Sequence, residues 1–155
     1  MQDVLRKLNY KGQAPVWVLQ APPDFQAALA ALHPPLVVRA SLRGAKDIPF
    51  VLAFATKKAE VDRLAPQIAK AAPGDAVIWI AYPKGTSKNY TCDFHRDNGW
   101  DQFGAHGFEP VRQVAIDADW TALRFRRAAF IKTMTRTFAM TEAGRAKAAA
   151  NRKPL

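Results

Sequence analysis

Short segments that are apolar at every position limit the folds open to this chain more than any other feature does. Val16–Leu19, residues 49–54 and residues 76–81 lack the polar alternation of a strand that has one face in water. Continuous apolar strands of this length are typical of parallel sheets that helices cover on both faces. A shorter apolar run at residues 36–38 predicts one further strand.

Helical periodicity occupies the segments between these strands. A first amphipathic helix opens at Pro22 and Pro23, and a second has apolar residues at helical spacing from residue 61 to residue 72. We expect Thr56 to cap the second helix and Pro66, which has no amide hydrogen, to kink or split it. Strands that alternate with helices in this way predict βαβ crossovers and a parallel sheet, because short loops cannot join parallel neighbours.

The second half of the chain departs from this alternation. Asp97 is expected to cap a helix that carries Trp100 and Phe103. Residues 111–116 and 120–125 predict two strands, and the short connection between them makes them an antiparallel hairpin. The predicted fold class is therefore α/β: a single Rossmann-like, three-layer domain over residues 1–140, whose mostly parallel sheet ends in an antiparallel hairpin.

The positive charge of the chain is concentrated towards its C-terminal end. The formal net charge is +10, and residues 121–155 contain nine basic residues against one acidic residue, Glu142, which gives +8. Residues 141–155 are expected to form a basic, mobile tail. Such a charge attracts anionic partners, so weak, sequence-indifferent binding of nucleic acid is one alternative function.

Cysteine and histidine are too few for several common kinds of site. Cys92 is the only cysteine, and the three histidines form no HxH or HxxxH pair, so we expect no disulfide and no metal site. The first residues contain no apolar signal region, and the longest apolar run is far shorter than the roughly 20 residues of a membrane-spanning helix. These features favour a cytoplasmic protein without a membrane segment.

The turn after the first strand argues against a nucleotide cofactor. Rossmann folds that bind such a cofactor place glycines in this turn, where backbone amides approach the ligand, and a carboxylate after the second strand for the ribose hydroxyls. This chain has Pro22 and Pro23 at the first place and Arg39 at the second. We therefore expect neither a conventional methyltransferase nor a dehydrogenase, and we predict no cofactor.

The most polar segment directly follows the fourth apolar strand, where open α/β sheets bind their ligands. Ammonium and hydroxyl groups flank a glycine there, and a guanidinium follows a few residues later. Such groups suit a phosphate or a carboxylate. We therefore predict a site for an anionic small molecule, while a solvated surface loop is the alternative. Its predicted contacts are Lys84, Thr86, Ser87, Lys88 and Arg96.

Two further groups of polar residues leave alternatives open. Asp93 and His95 could serve as a catalytic base and its orienting partner in an enzyme of unrecognised type, although an ion pair for Arg96 is the plainer interpretation of this segment. Arg124 and Arg126 share one face of the last strand, because side chains alternate along a strand. That face is either solvated surface or a second part of the anion site.

Four stretches of the sequence resemble a known family. They are KGTSK (residues 84–88), RDNGW (96–100), VRQVAID (111–117) and WTALRFR (120–126). From roughly residue 5 to residue 138 the chain resembles an uncharacterised bacterial family of small Rossmann-like, methyltransferase-like proteins, which is classed as a domain of unknown function. The resemblance implies a compact Rossmann-like domain and implies no activity, cofactor or catalytic residue.

Overall fold

The computed structural model describes residues 1–131 as one six-stranded sheet with helices on both faces. The predicted basic tail, residues 141–155, lies outside the described residues. The helices are α1 (Gln2–Lys7), α2 (Pro23–Ala30), α3 (Lys58–Ala71) and α4 (Asp101–Ala105), and a 3-10 turn spans Ala128–Phe130. The strands are β1 (Val16–Leu19), β2 (Val38–Arg39), β3 (Phe50–Phe54), β4 (Val77–Pro83), β5 (Phe108–Ala115) and β6 (Trp120–Arg127).

The strand order β2-β1-β3-β4-β6-β5 joins a parallel half of the sheet to an antiparallel half. Strands β1, β2, β3 and β4 run parallel to one another, while β6 is antiparallel to both β4 and β5. The prediction of a single α/β domain with a mostly parallel sheet and an antiparallel end is confirmed. The second strand of the predicted hairpin, β6, pairs with the parallel half, so the first strand, β5, forms the outer edge.

Strand β4 is buried on both faces over its whole length. Because side chains alternate along a strand, Ile78 and Ile80 enter one core while Trp79 and Ala81 enter the other. The Trp79 indole donates a hydrogen bond of 2.7 Å to the carbonyl of Leu8, the residue that follows α1. This bond satisfies the polar nitrogen of a buried ring and attaches the end of α1 to the middle of the sheet.

The two cores give the domain its three layers. We call the side covered by α3 and α4 the α3 face, and its core includes Val61, Leu64 and Ile68 of α3. The opposite side is the α1–α2 face, to which α2 contributes Phe25 and Leu29. The helical residues buried here are those that the apolar periodicity of the sequence marks. Four large aromatic residues are also buried in these cores: Trp100, Phe103, Phe108 and Trp120.

The N-termini of α3 and α4 differ from the sequence prediction. The hydroxyl of Thr56 does not cap α3, because the carboxylate of Glu60 accepts hydrogen bonds from the backbone amides of Thr56 and Lys57. Asp97 does not cap α4, which begins only at Asp101. Cap preferences locate a helix start to within about one turn, and competition among nearby carboxylates decides which side chain takes the role.

Strands β2 and β5 differ from the predicted limits. The apolar run at residues 36–38 yields only the short strand β2 (Val38–Arg39), both of whose residues are exposed. It lies at the edge of the sheet and has a single partner, β1, so few ladder hydrogen bonds extend it. Strand β5 begins at Phe108, three residues before the predicted start, and carries an irregularity between Pro110 and Arg112. None of the helices within residues 1–131 is long and apolar enough to cross a membrane.

Helix α3 is continuous through Pro66, so of the two predicted effects of this proline, a kink or a split, the split does not occur. Pro66 is exposed, whereas its neighbours Ala65 and Ile68 are fully buried against the sheet. Burial of the apolar face therefore outweighs the roughly 3 kcal/mol by which proline disfavours a helix interior.

Replacing this proline is expected to stabilise the protein. Pro66→Ala restores the amide hydrogen that can bond to the carbonyl of Asp62, and we expect the free energy of unfolding to rise by about 1–3 kcal/mol in a urea titration. The gain falls short of the full helix-propensity difference because alanine also frees the unfolded chain. Gln67→Ala, an adjacent exposed position, is the control and should change it by less than about 0.5 kcal/mol. A loss of stability in Pro66→Ala would contradict this account.

Candidate functional site at the carboxyl edge of the sheet

The parallel strands end together at one edge of the sheet. Gln20 follows β1, Ala55 follows β3 and Lys84 follows β4 at this carboxyl edge. Because β6 is antiparallel to β4, it begins at the same edge, where Trp120 lies opposite Pro83. The turn that precedes β6 is thus brought to the edge at which open α/β sheets bind ligands.

The turn at residues 84–88, in which four of the predicted contacts lie, is held in place by Asp119. The amide of Ser87 donates to the carbonyl of Lys84 at 3.0 Å and closes the turn. The amide of Lys84 donates to the carbonyl of Asp119 at 2.7 Å, and the Ser87 hydroxyl donates to its carboxylate at 2.8 Å. Asn89 donates its side-chain amide to the other carboxylate oxygen at 3.1 Å. A single aspartate therefore fixes the turn against the start of β6.

The polar groups of this turn are not equally free to meet a ligand. The hydroxyl of Ser87 accepts from the amides of Asn89 and Tyr90 in addition to its bond to Asp119, so it is fully occupied. Thr86 and Lys88 are exposed and Lys84 is half-buried. Neither lysine ammonium has an ion pair with a residue in the described part of the chain. The two positive charges of the turn are thus uncompensated by contact.

Arg96 lies in a second turn, apart from the first. Its guanidinium is 3.4 Å from the carboxylate of Asp97, so the expected ion pair is present, between two exposed residues. Its carbonyl accepts a hydrogen bond of 3.0 Å from the indole of Trp100. Between the two turns the chain passes from the α1–α2 face, where Tyr90 packs on Trp120, to the α3 face. Within residues 1–131 no hydrogen bond or ion pair joins Arg96 to the turn at 84–88.

The carboxylate of Asp93 serves as a helix cap. It accepts a hydrogen bond of 2.6 Å from the backbone amide of Lys58, the first residue of α3. This bond satisfies a free amide at a helix N-terminus, where negative charge is favoured. His95 accepts at Nδ1 from the amide of Asp97 at 3.3 Å, and in the described residues no hydrogen bond connects His95 with Asp93. The geometry of a base and its orienting partner is therefore not formed.

Lys58 joins two carboxylates at the start of α3. Its ammonium lies 2.9 Å from Asp62 and 3.0 Å from Asp101, the first residue of α4. The hydrogen bond to Asp62, followed by that to Asp101, raises the pKa of Lys58 above its ordinary value. The same contact with Lys58 lowers the pKa of Asp101. This ion pair and the Asp93 cap both attach the segment after β4 to the N-terminus of α3.

Aromatic side chains close the carboxyl edge on the α3 face. Tyr82 packs against Phe94 and Trp100, with ring centroids 5.6 and 5.5 Å apart. Burial raises the pKa of Tyr82 to about 12 and also raises the pKa of the Cys92 thiol. Because their pKa values are raised, neither Tyr82 nor Cys92 is suited to give up a proton near neutral pH. Gly99, in the turn between Phe94 and Trp100, has a φ of 92°, and a Cβ atom on it would lie 2.7 Å from Phe94, so this turn requires glycine.

The arginines of β6 do not extend this site. Arg126 forms two hydrogen bonds, of 2.9 and 2.7 Å, with Asp75, which lies just before β4 at the opposite edge of the sheet. Arg124 pairs with Trp79 in the middle of β4, and four residues separate it from Trp120, a span of about 13 Å along a strand. Its Nε atom is buried without a hydrogen-bond partner among the described residues. Within residues 1–131, no hydrogen bond or ion pair joins Arg124 or Arg126 to the turn at residues 84–88. The structure therefore adds no support to the alternative that these arginines are a second part of the anion site.

The residues after β1 and β2 do not fit the adenosine-containing cofactor that folds of this kind hold there. Pro22 is the N-cap of α2 and Pro23 its first residue, and neither has an amide hydrogen to donate to a ligand. Gln20 stands where a glycine would let the backbone approach closely. Arg39 and Ala40 occupy the end of β2, so no carboxylate is available for ribose hydroxyls. No chemical step can be derived through such a cofactor.

Comparison with known proteins supports the fold alone. No protein-family model matches the chain, and no curated protein matches its sequence. Among solved structures, a protein from Sulfolobus solfataricus assigned as a type 11 methyltransferase superimposes with a TM-score of 0.51 at 10% sequence identity, over 87% of this chain and 81% of that one. The fibrillarin pre-rRNA processing protein of Methanococcus jannaschii gives a TM-score of 0.48 at 11% identity, over 73% of this chain and 56% of that one. The likeness to the first of these structures, together with the strand order, shows a Rossmann-like α/β fold.

Several residues that shape the edge escaped the sequence prediction. Asp119 counted only as part of a short connection, and Lys58 and Asp101 had no assigned role. The signal for Glu60 was present, because a glutamate three residues after a helix start is half of a capping box. Within residues 1–131, no cluster of three His, Cys, Asp or Glu side chains could hold a metal ion.

Removing the Asp119 carboxylate is expected to release the turn at 84–88. Asp119→Ala leaves the Ser87 hydroxyl and the Asn89 amide without their acceptor, at a cost of about 1–3 kcal/mol. Amide hydrogen exchange, read by mass spectrometry, should accelerate in residues 84–90 and not in α3. Asp97→Ala, which removes an exposed carboxylate from the second turn, is the matched control and should leave that exchange unchanged. Unaltered exchange in Asp119→Ala would show that the turn is held by other contacts.

The ion pair of Lys58 is expected to stabilise the protein only between two pH limits. The lowered pKa of Asp101 contributes stability above its ordinary value of 3.8, and this contribution is lost as the pH falls through the lowered pKa. The raised pKa of Lys58 contributes stability below its ordinary value of 10.5, which is lost as the pH rises through the raised pKa.

Lys58→Met should therefore destabilise the protein between about pH 4 and pH 10, and by less than about 1 kcal/mol because the side chains are partly exposed. Urea titrations at a series of pH values measure the difference from the unsubstituted chain. Lys57→Met, which removes the adjacent exposed lysine, is the control. A difference that stays constant from pH 2 to pH 11 would show that the lysine acts through its methylene groups alone.

Proposed function

We propose that this protein binds an anionic small molecule at the carboxyl edge of its parallel sheet, with the turn at residues 84–88 as the centre of the site. The observation that carries the proposal is that this turn is fixed in position while its two ammonium groups remain uncompensated by contact. Lys84 and Lys88 supply charge, and Thr86 supplies a hydroxyl donor. Ser87 contributes by holding the turn to Asp119, and Arg96 completes the proposed set from the second turn.

The carboxylates beside the turn do not exclude an anion. The Asp119 carboxylate accepts from Ser87 and Asn89, and Asp117 accepts from the amides of Asp119 and Trp120 at 2.8 and 2.9 Å. Hydrogen-bond donors thus offset part of the negative charge of the two carboxylates, and neither carboxylate forms an ion pair with an ammonium group of the turn within residues 1–131. The turn is exposed to water, so screening limits its affinity, and weak binding of a phosphate or carboxylate group is expected.

The test is a thermal-shift titration of the full chain with inorganic phosphate and with citrate, each against sodium chloride at the same ionic strength. We expect both anions to raise the melting temperature at millimolar concentration, because a ligand that binds only the folded state stabilises it. Lys84→Ala/Lys88→Ala should lose that response while its own stability changes by no more than about 0.5 kcal/mol.

The control separates binding from general effects of salt and charge. Phosphate stabilises many proteins by exclusion from their surface, and any loss of two lysines lowers the net charge. Lys11→Ala/Lys70→Ala makes the same change of charge at exposed positions away from the turn and should keep the response. If the two double variants respond alike, or if the unsubstituted chain shows no anion-specific shift, the turn is a solvated surface loop.

The alternative function, weak binding of nucleic acid through the basic C-terminal tail, remains a proposal. It rests on the excess of basic residues after residue 120, most of which lie outside the described residues. Titration of labelled DNA at several salt concentrations separates it from the anion site, since tail-driven binding weakens steeply with salt and is lost in a chain that ends at Phe138. Equal affinity of the two chains would remove the tail from this account.

An enzyme of unrecognised type is the second alternative, and its only support is the fold. The methyltransferase assignment of the Sulfolobus solfataricus protein belongs to that protein. In this chain, Asp93 caps α3 and is not hydrogen-bonded to His95. Membership of the bacterial family of unknown function that the sequence resembles, and a cytoplasmic location, complete the proposal.

A further inference from the structure

A groove of about 400 Å³ runs between helix α2 and the edge strand β2, on the α1–α2 face. Val18 of β1, Leu29 and Ala30 of α2, and Val38 and Ala40 at β2 line it. Its volume falls within the roughly 300–1,000 Å³ typical of small-molecule sites. One end of the groove, at Gln20 and Ala40, borders the edge where folds of this kind hold a nucleotide, and the groove extends from there along α2 to Leu36.

The groove is open because of the course of the chain after β2. Leu42 and Ala45, which follow this strand, pack on the α3 face. The chain therefore leaves the α1–α2 face immediately after β2. No described helix covers the side of α2 that is next to β2. Val38, which lines the groove, is 37% exposed although it is a large apolar residue.

The chemistry of the lining determines which ligands the groove can accept. No Asp, Glu, Lys, Arg or His is among the described residues that line it. An ion that entered would lose hydration without gaining a counter-charge, which is costly. Binding of an uncharged molecule with a large apolar surface would instead be favoured in proportion to the apolar area that is removed from water. The lining therefore selects against the anions proposed for the turn at residues 84–88.

One end of the groove is polar. Gln20 and Gln26 line it at the carboxyl edge, and the amide nitrogen of Gln26 donates to the carbonyl of Ala21 at 2.8 Å. That bond leaves the carboxamide oxygen of Gln26 as an acceptor. Gln20 has a φ of 58°, in the left-handed region that is costly for a residue with a side chain. Conformations of this kind cluster at binding sites, where the surrounding structure maintains them.

We propose that the groove between α2 and β2 is a binding site for a small, uncharged and largely apolar molecule, such as a fused aromatic ring, that carries an N–H or O–H donor at one end. The apolar body of the ligand lies along Val18, Leu29 and Val38, and its donor meets the carboxamide oxygen of Gln26. The site is independent of the proposed anion site, because the two share no residue.

Indole is a suitable probe, because it combines an apolar bicyclic body with one N–H donor, and indole-2-carboxylate is its charged counterpart. Titration of the full chain with each, followed by ¹H–¹⁵N correlation spectra, should give saturable shifts at the amides of Ala30, Val38 and Ala40 with indole. The carboxylate should bind at least tenfold more weakly. Absence of shifts at these amides, or equal binding of the carboxylate, would overturn the proposal.

Three variants test the location of the site. Ala30→Leu fills the groove and should abolish the indole shifts, and Ala40→Leu provides the same test from the opposite wall if the first variant does not fold. Gln26→Leu keeps the volume while removing the acceptor, so indole should bind several-fold more weakly. Lys84→Ala/Lys88→Ala should bind indole normally. Undiminished binding in a folded Ala30→Leu or Ala40→Leu chain would place the probe elsewhere and refute the site.

Discussion

The rest of the structure depends on the burial of strand β4 on both of its faces. In the described sheet this strand alone is hydrogen-bonded to both the parallel and the antiparallel half, since β3 pairs with one side of it and β6 with the other. Ile78 belongs to the core of the α3 face and Trp79 to that of the α1–α2 face. A polar residue at either position would bury an unsatisfied group in one core and weaken both sheet pairings together. The end of α1 depends on it as well, through the bond from Trp79 to Leu8.

At the carboxyl edge of the sheet, acidic side chains stabilise the local structure. Three of its carboxylates have specific structural tasks: Asp93 caps α3, Glu60 binds the amides before it, and Asp119 holds the turn at residues 84–88. Each of these acids therefore has a structural task within the described residues. Lys84 and Lys88 have no ion pair there, and this uncompensated charge is the basis of the proposed anion site.

The chain has a Rossmann-like fold without the residues through which such folds commonly hold an adenosine cofactor. The prolines at the start of α2 stabilise the helix, because they lack the amide hydrogens that would otherwise be unsatisfied there, and for the same reason they offer nothing to a phosphate or carboxylate. A fold carries no function by itself, so the site has to be argued from the side chains present. In this chain those side chains form a cationic turn at one place and an uncharged groove at another.

The sequence by itself determined the layers of the fold and the content of its cores, because uniform apolar runs and helical periodicity depend only on which residues avoid water. It also located the polar turn after β4, since strand ends and loops are distinguishable by composition. Only the tertiary structure decided that β6 lies between β4 and β5, because a hairpin can attach to a sheet by either strand. It alone joined Asp93 to Lys58 and Asp119 to Ser87. These contacts span about thirty residues of chain, and the partner of a polar side chain at that separation is selected by packing, of which local sequence carries no record.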